Sequence, residues 1–114
     1  MDERRRLHRR HILFYSRVFD RKTGLFLGYL GNLNEGGLMI ISEEPIEVER
    51  VYLLRIDLPE DMYPQPVLNF EAQSVWCMQD VDPHFYNTGF QFADISDHSK
   101  MIISQIVEDY GFRD

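Results

Sequence analysis

The chain holds a single cysteine, Cys77, among its 114 residues, so it cannot form an internal disulfide framework or by itself supply a thiolate metal cage. A reducing, cytoplasmic setting is the expectation that follows. Long hydrophobic runs are missing as well. No stretch of eighteen apolar residues occurs, and the arginines near the N-terminus are not followed by the apolar segment and small-residue site of a secretory leader. Neither membrane insertion nor export is expected. Proline is sparse and local: three of the five fall within residues 59–66, which reads as one loop. The length excludes a two-domain enzyme. Core material is ample, because 44% of the residues are hydrophobic and 13% aromatic, enough for one globule to remove roughly two thirds of its unfolded surface from water.

Positive charge is scarce and unevenly placed. The formal net charge is −7, which argues against DNA or RNA as a partner. Residues 1–10 nevertheless carry five arginines (Arg4, Arg5, Arg6, Arg9, Arg10) against Asp2 and Glu3, a local charge of +3, while the other 104 residues sum to −10. Such segregation fits a small anionic partner or a merely solvated arginine tail. The choice of arginine favours the first, since a planar guanidinium donates two parallel hydrogen bonds to phosphate and stacks on an aromatic base. Residues 1–10 are expected to form a flexible arginine-rich segment ahead of a single domain over residues 11–114.

Periodicity predicts mostly strands. His11–Phe19 and Leu25–Leu30 read as a hairpin about the polar turn Asp20–Gly24, and Gly31–Gly37 has the composition of a further turn. Leu38–Ile41 is a short apolar strand, and Arg50–Leu58 places Tyr52, Leu54, Ile56 and Leu58 on one face. Val67–Met78 alternates Leu68, Phe70, Ala72, Ser74, Trp76 and Met78 against polar residues, which predicts Trp76 in the core. Tyr86–Asp94 repeats the pattern with Thr88, Phe90 and Phe92 facing in. From Ser96, a helix N-cap by type and place, Ile102, Ile103, Ile106, Val107 and Tyr110 recur at helical spacing until Gly111. Six short strands without helical crossovers, then one helix, predict a mainly β fold: a six-stranded antiparallel barrel with a C-terminal α-helix over an opening.

Catalytic constellations are few. His8 and His11 lie among arginines and lack a matching pair at metal-site spacing, so no metal site is expected. Asp80, Asp82 and His84 share one loop, whose simplest reading is a solvated acidic turn. Cys77 has no basic neighbour in sequence to activate its thiol. Two segments remain, the arginine cluster and the Asn/Gly turn. In an antiparallel pair the start of the first strand lies beside the end of the second, so Arg9 and Arg10 are brought near Asn32 and Asn34. Guanidinium groups, amides and glycine N–H groups would then meet in one patch suited to a phosphate and a base edge.

These two segments resemble the paired motifs of PilZ domains. Arg5-Arg6-Leu7-His8-Arg9 is similar to the RxxxR element, and Asn32-Leu33-Asn34-Glu35-Gly36-Gly37 to the [D/N]xSxxG element, with Asn34 where serine is usual and Asn32 as the rarer first choice. Arg6 and Arg10 satisfy the same spacing as Arg5 and Arg9. The resemblance extends over nearly the whole chain, through Val75-Trp76, Gly89-Phe90-Gln91-Phe92 and the terminal helix. It implies a noncatalytic sensor of the bacterial second messenger cyclic di-GMP, with no cofactor beyond that ligand, signalling to an effector protein. Arg5 and Arg9 would clamp phosphate and guanine, with Arg4 and Arg6 as auxiliary phosphate contacts. Asn32, Asn34 and Gly37 would support a guanine edge. The alternative within the same resemblance is a protein-interaction adaptor that does not bind the nucleotide.

Overall fold

Six strands close into a barrel in the order β1-β2-β3-β6-β5-β4, every neighbouring pair antiparallel. They are β1 (Arg17–Asp20), β2 (Phe26–Leu33), β3 (Gly37–Ser42), β4 (Val51–Asp57), β5 (Val67–Gln79) and β6 (Tyr86–Asp94), and α1 (Asp97–Tyr110) follows. The computed structural model describes residues 16–58, 63 and 65–110. Each of the six described strands is paired on both sides, which removes the usual route to strand-on-strand aggregation.

The period-2 pattern of the strands decides what fills the barrel. Leu54 and Ile56 of β4 and Leu68, Phe70 and Ala72 of β5 are buried, together with Val18, Leu30, Leu33, Ile40 and Phe90. The helix completes this core. Ile102, Ile103, Ile106 and Val107 recur at three- and four-residue spacing, fall on one face and join the same cluster. Its start is set by Ser96, whose Oγ accepts the Ser99 N–H at 3.1 Å. Each fully buried Leu or Ile is worth about 1.5–3 kcal/mol, so the helix face is a major contributor.

Polar groups lock the two loop-rich places. Arg21, at the β1–β2 turn, donates from Nε to the Leu54 carbonyl at 3.0 Å and from Nη2 to that of Phe70 at 3.1 Å, tying the hairpin to β4 and β5. Ser74 is fully buried and satisfied. Its Oγ donates to the Glu47 carbonyl at 2.7 Å and accepts the Arg50 N–H at 3.2 Å, while the Glu49 N–H reaches the Ser74 carbonyl at 2.7 Å. Glu49 is held there with φ at 60°, a left-handed conformation that costs a non-glycine residue roughly 1–2 kcal/mol.

Among the described residues the first strand is Arg17–Asp20, and residues 11–15 of the expected His11–Phe19 strand lie outside the described residues. The strands differ from the sequence reading at two places. The second strand runs on through Leu33, so Gly31–Leu33 is not part of a turn. A register shift between Leu30 and Asn32 keeps it paired with β3, and the true turn is Asn34–Gly36. On β5, Trp76 and Met78 are not in the core: they are 41% and 63% exposed. A bulge between Ser74 and Trp76 adds one residue against β6 and reverses the alternation, turning Trp76 outward and Cys77 toward buried Thr88, which donates to its sulfur at 3.3 Å.

Candidate functional site

The turn between β2 and β3 is built by one side chain. Asn34 Oδ1 accepts the N–H groups of Gly36 at 2.7 Å and Gly37 at 2.9 Å, and the Asn34 N–H donates to the Gly37 carbonyl at 2.9 Å. An amide oxygen at this spacing replaces the backbone acceptor of a tight turn. Gly37 is required by packing, because a Cβ there would strike the Phe90 carbonyl across the β3–β6 pair. Asn32, on the strand before the turn, accepts the Leu33 N–H on Oδ1 at 2.9 Å and keeps its two amide N–H donors. Glu35 points to the helix, where the Ser104 hydroxyl donates to its carboxylate at 3.1 Å.

Trp76 stands beside this turn. The outward indole lies across the backbone of Gly89, and a Cβ at residue 89 would collide with Nε1 and the ring carbons next to it. Together Asn32, Asn34, Gly37, Met39, Trp76 and Gln91 border an open cleft of about 490 Å³. Its walls offer amide groups and the exposed Trp76 ring, and among the described residues no carboxylate lines it. That is the chemistry of a site for a flat, hydrogen-bonding ring.

Of the residues singled out in the sequence, Asn32, Asn34 and Gly37 therefore come together in one cleft. Arg4, Arg5, Arg6 and Arg9 lie outside the described residues, as do Arg10, His8 and His11. The chain reaches β1 through Ser16, whose carbonyl accepts the Leu30 N–H at 2.9 Å, one residue before the β2 bulge that leads to Asn32. Trp76, Gly89, Met39 and Gln91 were not anticipated as site residues. The available signal was Gly89, since a glycine inside a strand marks a bulge or a close approach.

The other candidates stand apart from the cleft. His84 Nδ1 meets Asp82 Oδ1 at 2.9 Å on an exposed hairpin. Asp80 and Asp82 are held below the ordinary carboxyl range, Asp80 chiefly by the hydrogen bond from Asn87 and Asp82 chiefly by the His84 backbone N–H. Asp82 is exposed and Asp80 half-buried at the same surface loop, and both face solvent away from the cleft. Among the described residues no group of three His, Cys, Asp or Glu side chains is placed to hold a metal ion.

The family model of the PilZ domain matches residues 3–109. The chain belongs to the PilZ domain family. Solved structures agree in fold. The PilZ domain of YcgR from Escherichia coli, with c-di-GMP, superposes with a TM-score of 0.60 at 14% identity, over 84% of this chain and 82% of that one. The Bacillus subtilis inhibitor of motility (MotI/DgrA) superposes with a TM-score of 0.64 at 16% identity, over 79% of this chain and 43% of that one. This PilZ chain thus spans less than half the length of MotI. No curated protein matches the chain. PilZ domains are receptor and adaptor domains rather than enzymes, and the family is one of c-di-GMP receptors. Among the described residues no helix is long and apolar enough to cross a membrane.

Proposed function

We propose that this protein is a cyclic di-GMP receptor whose occupied state is read by a partner protein. The observation that carries the reading is the convergence of the Asn32–Gly37 segment and the exposed Trp76 indole on one cleft. A guanine has a flat π face and an edge of N–H donors and carbonyl acceptors. Trp76 supplies a stacking surface for the face, a contact worth about 1–3 kcal/mol per base. The amides of Asn32 and Asn34 address the edge. Arg5 and Arg9 clamp phosphate and guanine, and Arg4 and Arg6 assist at the phosphates. Guanidinium forks suit that work because charge-assisted bonds to phosphate are roughly twice as strong as neutral ones.

Among the described residues the cleft lining offers hydrogen-bonding and stacking groups, and in this reading binding acts by stabilising one state of the chain. Calorimetric titration of the purified chain with cyclic di-GMP tests the reading. Saturable heat is expected, with a rise in thermal midpoint, since ligand at a hundred times Kd adds about 2.7 kcal/mol of stability. Absence of both overturns the receptor reading. A tight complex with a protein partner that forms equally with and without nucleotide would favour the adaptor instead.

A further inference from the structure

Among the described residues positive charge gathers on one side of the barrel. Beyond residue 10 the chain holds seven basic and seventeen acidic residues, yet four of the seven, Arg17, Arg21, Lys22 and Arg55, lie on β1, its hairpin turn and the adjacent β4. The two acids of that region are engaged locally. Asp20 Oδ1 accepts the Lys22 and Thr23 N–H groups at 2.8 and 3.3 Å, and Asp57 accepts Arg55 Nε at 3.1 Å. Within this basic rim sits an exposed apolar surface. Leu25 is 64% and Phe26 45% exposed. Phe26 is fixed edge-on between Phe19 and Tyr29, at centroid distances of 5.6 and 5.2 Å, and the Arg55 guanidinium lies 4.2 Å over the Phe19 ring.

From this arrangement we propose that the β1–β2 hairpin face is a docking surface for a protein segment that presents an apolar anchor flanked by Asp or Glu. Rigid aromatics and arginine at the centre of a patch are the residue types on which interface energy concentrates. Charge decides the partner. A second copy meeting this face about a two-fold axis would bring one basic rim against another. An anionic bilayer would repel the net −7 of the chain. An acidic protein segment satisfies the rim and the apolar centre together. The surface shares no residue with the nucleotide cleft, and so stands independently of the receptor reading.

Photo-crosslinking of the full chain in its native cells tests this. A benzophenone amino acid replaces Leu25, and a control carries it in place of Met101, which is 72% exposed on α1. The expected result is a discrete protein adduct from position 25 alone, mapped to an acidic peptide. The purified partner should then lose about tenfold or more in affinity on Arg17→Glu and on Lys22→Glu, and should bind more weakly as salt rises. Both positions are exposed, and unchanged thermal melting of the variants excludes unfolding as the cause. A lipid adduct, an adduct with a second copy of this chain, equal labelling from position 101, no adduct, or affinity indifferent to both reversals overturns the proposal. Cyclic di-GMP titration of the same variants should be unchanged, which separates this outcome from the receptor reading.

Discussion

At the residue scale, the Asn34 side chain sets the turn on which the cleft depends. Its one oxygen holds two backbone N–H groups, and the net worth of such bonds is about 1 kcal/mol each. Asn34→Ala should therefore lower stability by about 1–2 kcal/mol in urea unfolding, and Asn34→Ser, whose hydroxyl can close the same turn more weakly, should recover part of the loss. An unchanged midpoint in the alanine variant would show that the turn is held by other means. Asp80 gives a pH-dependent counterpart. Its carboxyl is depressed first by the Asn87 amide, 2.9 Å away, and then by the Asp82 N–H. Because the folded value lies below the unfolded one, the contribution is present above the ordinary carboxyl range and is lost as pH falls through the folded value. Carbon-detected NMR titration should place the Asp80 midpoint below the usual range in the parent and higher in Asn87→Ala.

At the scale of elements, the bulge in β5 decides whether Trp76 faces the core or the cleft. Gly89 supplies the bare backbone on which the indole rests. Gly89→Ala should push the ring off this seat, shift its emission, weaken nucleotide binding and cost about 1–3 kcal/mol of stability, as overpacking does. Unaltered emission from that variant would contradict the seat. This is also where the sequence was least legible. Alternation marked the bounds of β6, the inward faces of β4 and β5 as far as Ser74, and the helix from its Ser96 cap, because each buries one regular stripe. A bulge inserts a residue without changing residue types, so Trp76 looked in phase with Leu68 and Phe70. The shift between Leu30 and Asn32 hid in the same way, behind glycine and asparagine residues that equally describe a turn. Asn32, Asn34 and Gly37 were legible because their spacing is a local property. Trp76 and Gln91 reach the cleft only through the pairing of β5 and β6 with β3.

At the scale of the whole molecule, the receptor reading sets an acidic barrel against an arginine-bearing segment. The net charge of −7 opposes a dianionic ligand at long range, so on that reading the arginines supply the local attraction. Arg9→Ala should cost on the order of 1.5–3 kcal/mol of binding, the range for a hydrogen bond to a charged group, with no change in melting temperature without ligand. Affinity unaffected by that substitution would remove Arg9 from the site. Binding should also weaken as ionic strength rises, because part of the attraction is screened. The most direct test uses the fact that Trp76 is the sole tryptophan, so indole emission reports on the cleft alone. Titration of the full chain with cyclic di-GMP should change that emission saturably, with the same midpoint as the calorimetric heat, and the change should be lost in an Arg5→Ala, Arg9→Ala double variant that melts at the parent temperature. Emission that stays constant through a ligand excess of about a hundred times the calorimetric Kd would contradict binding at the cleft.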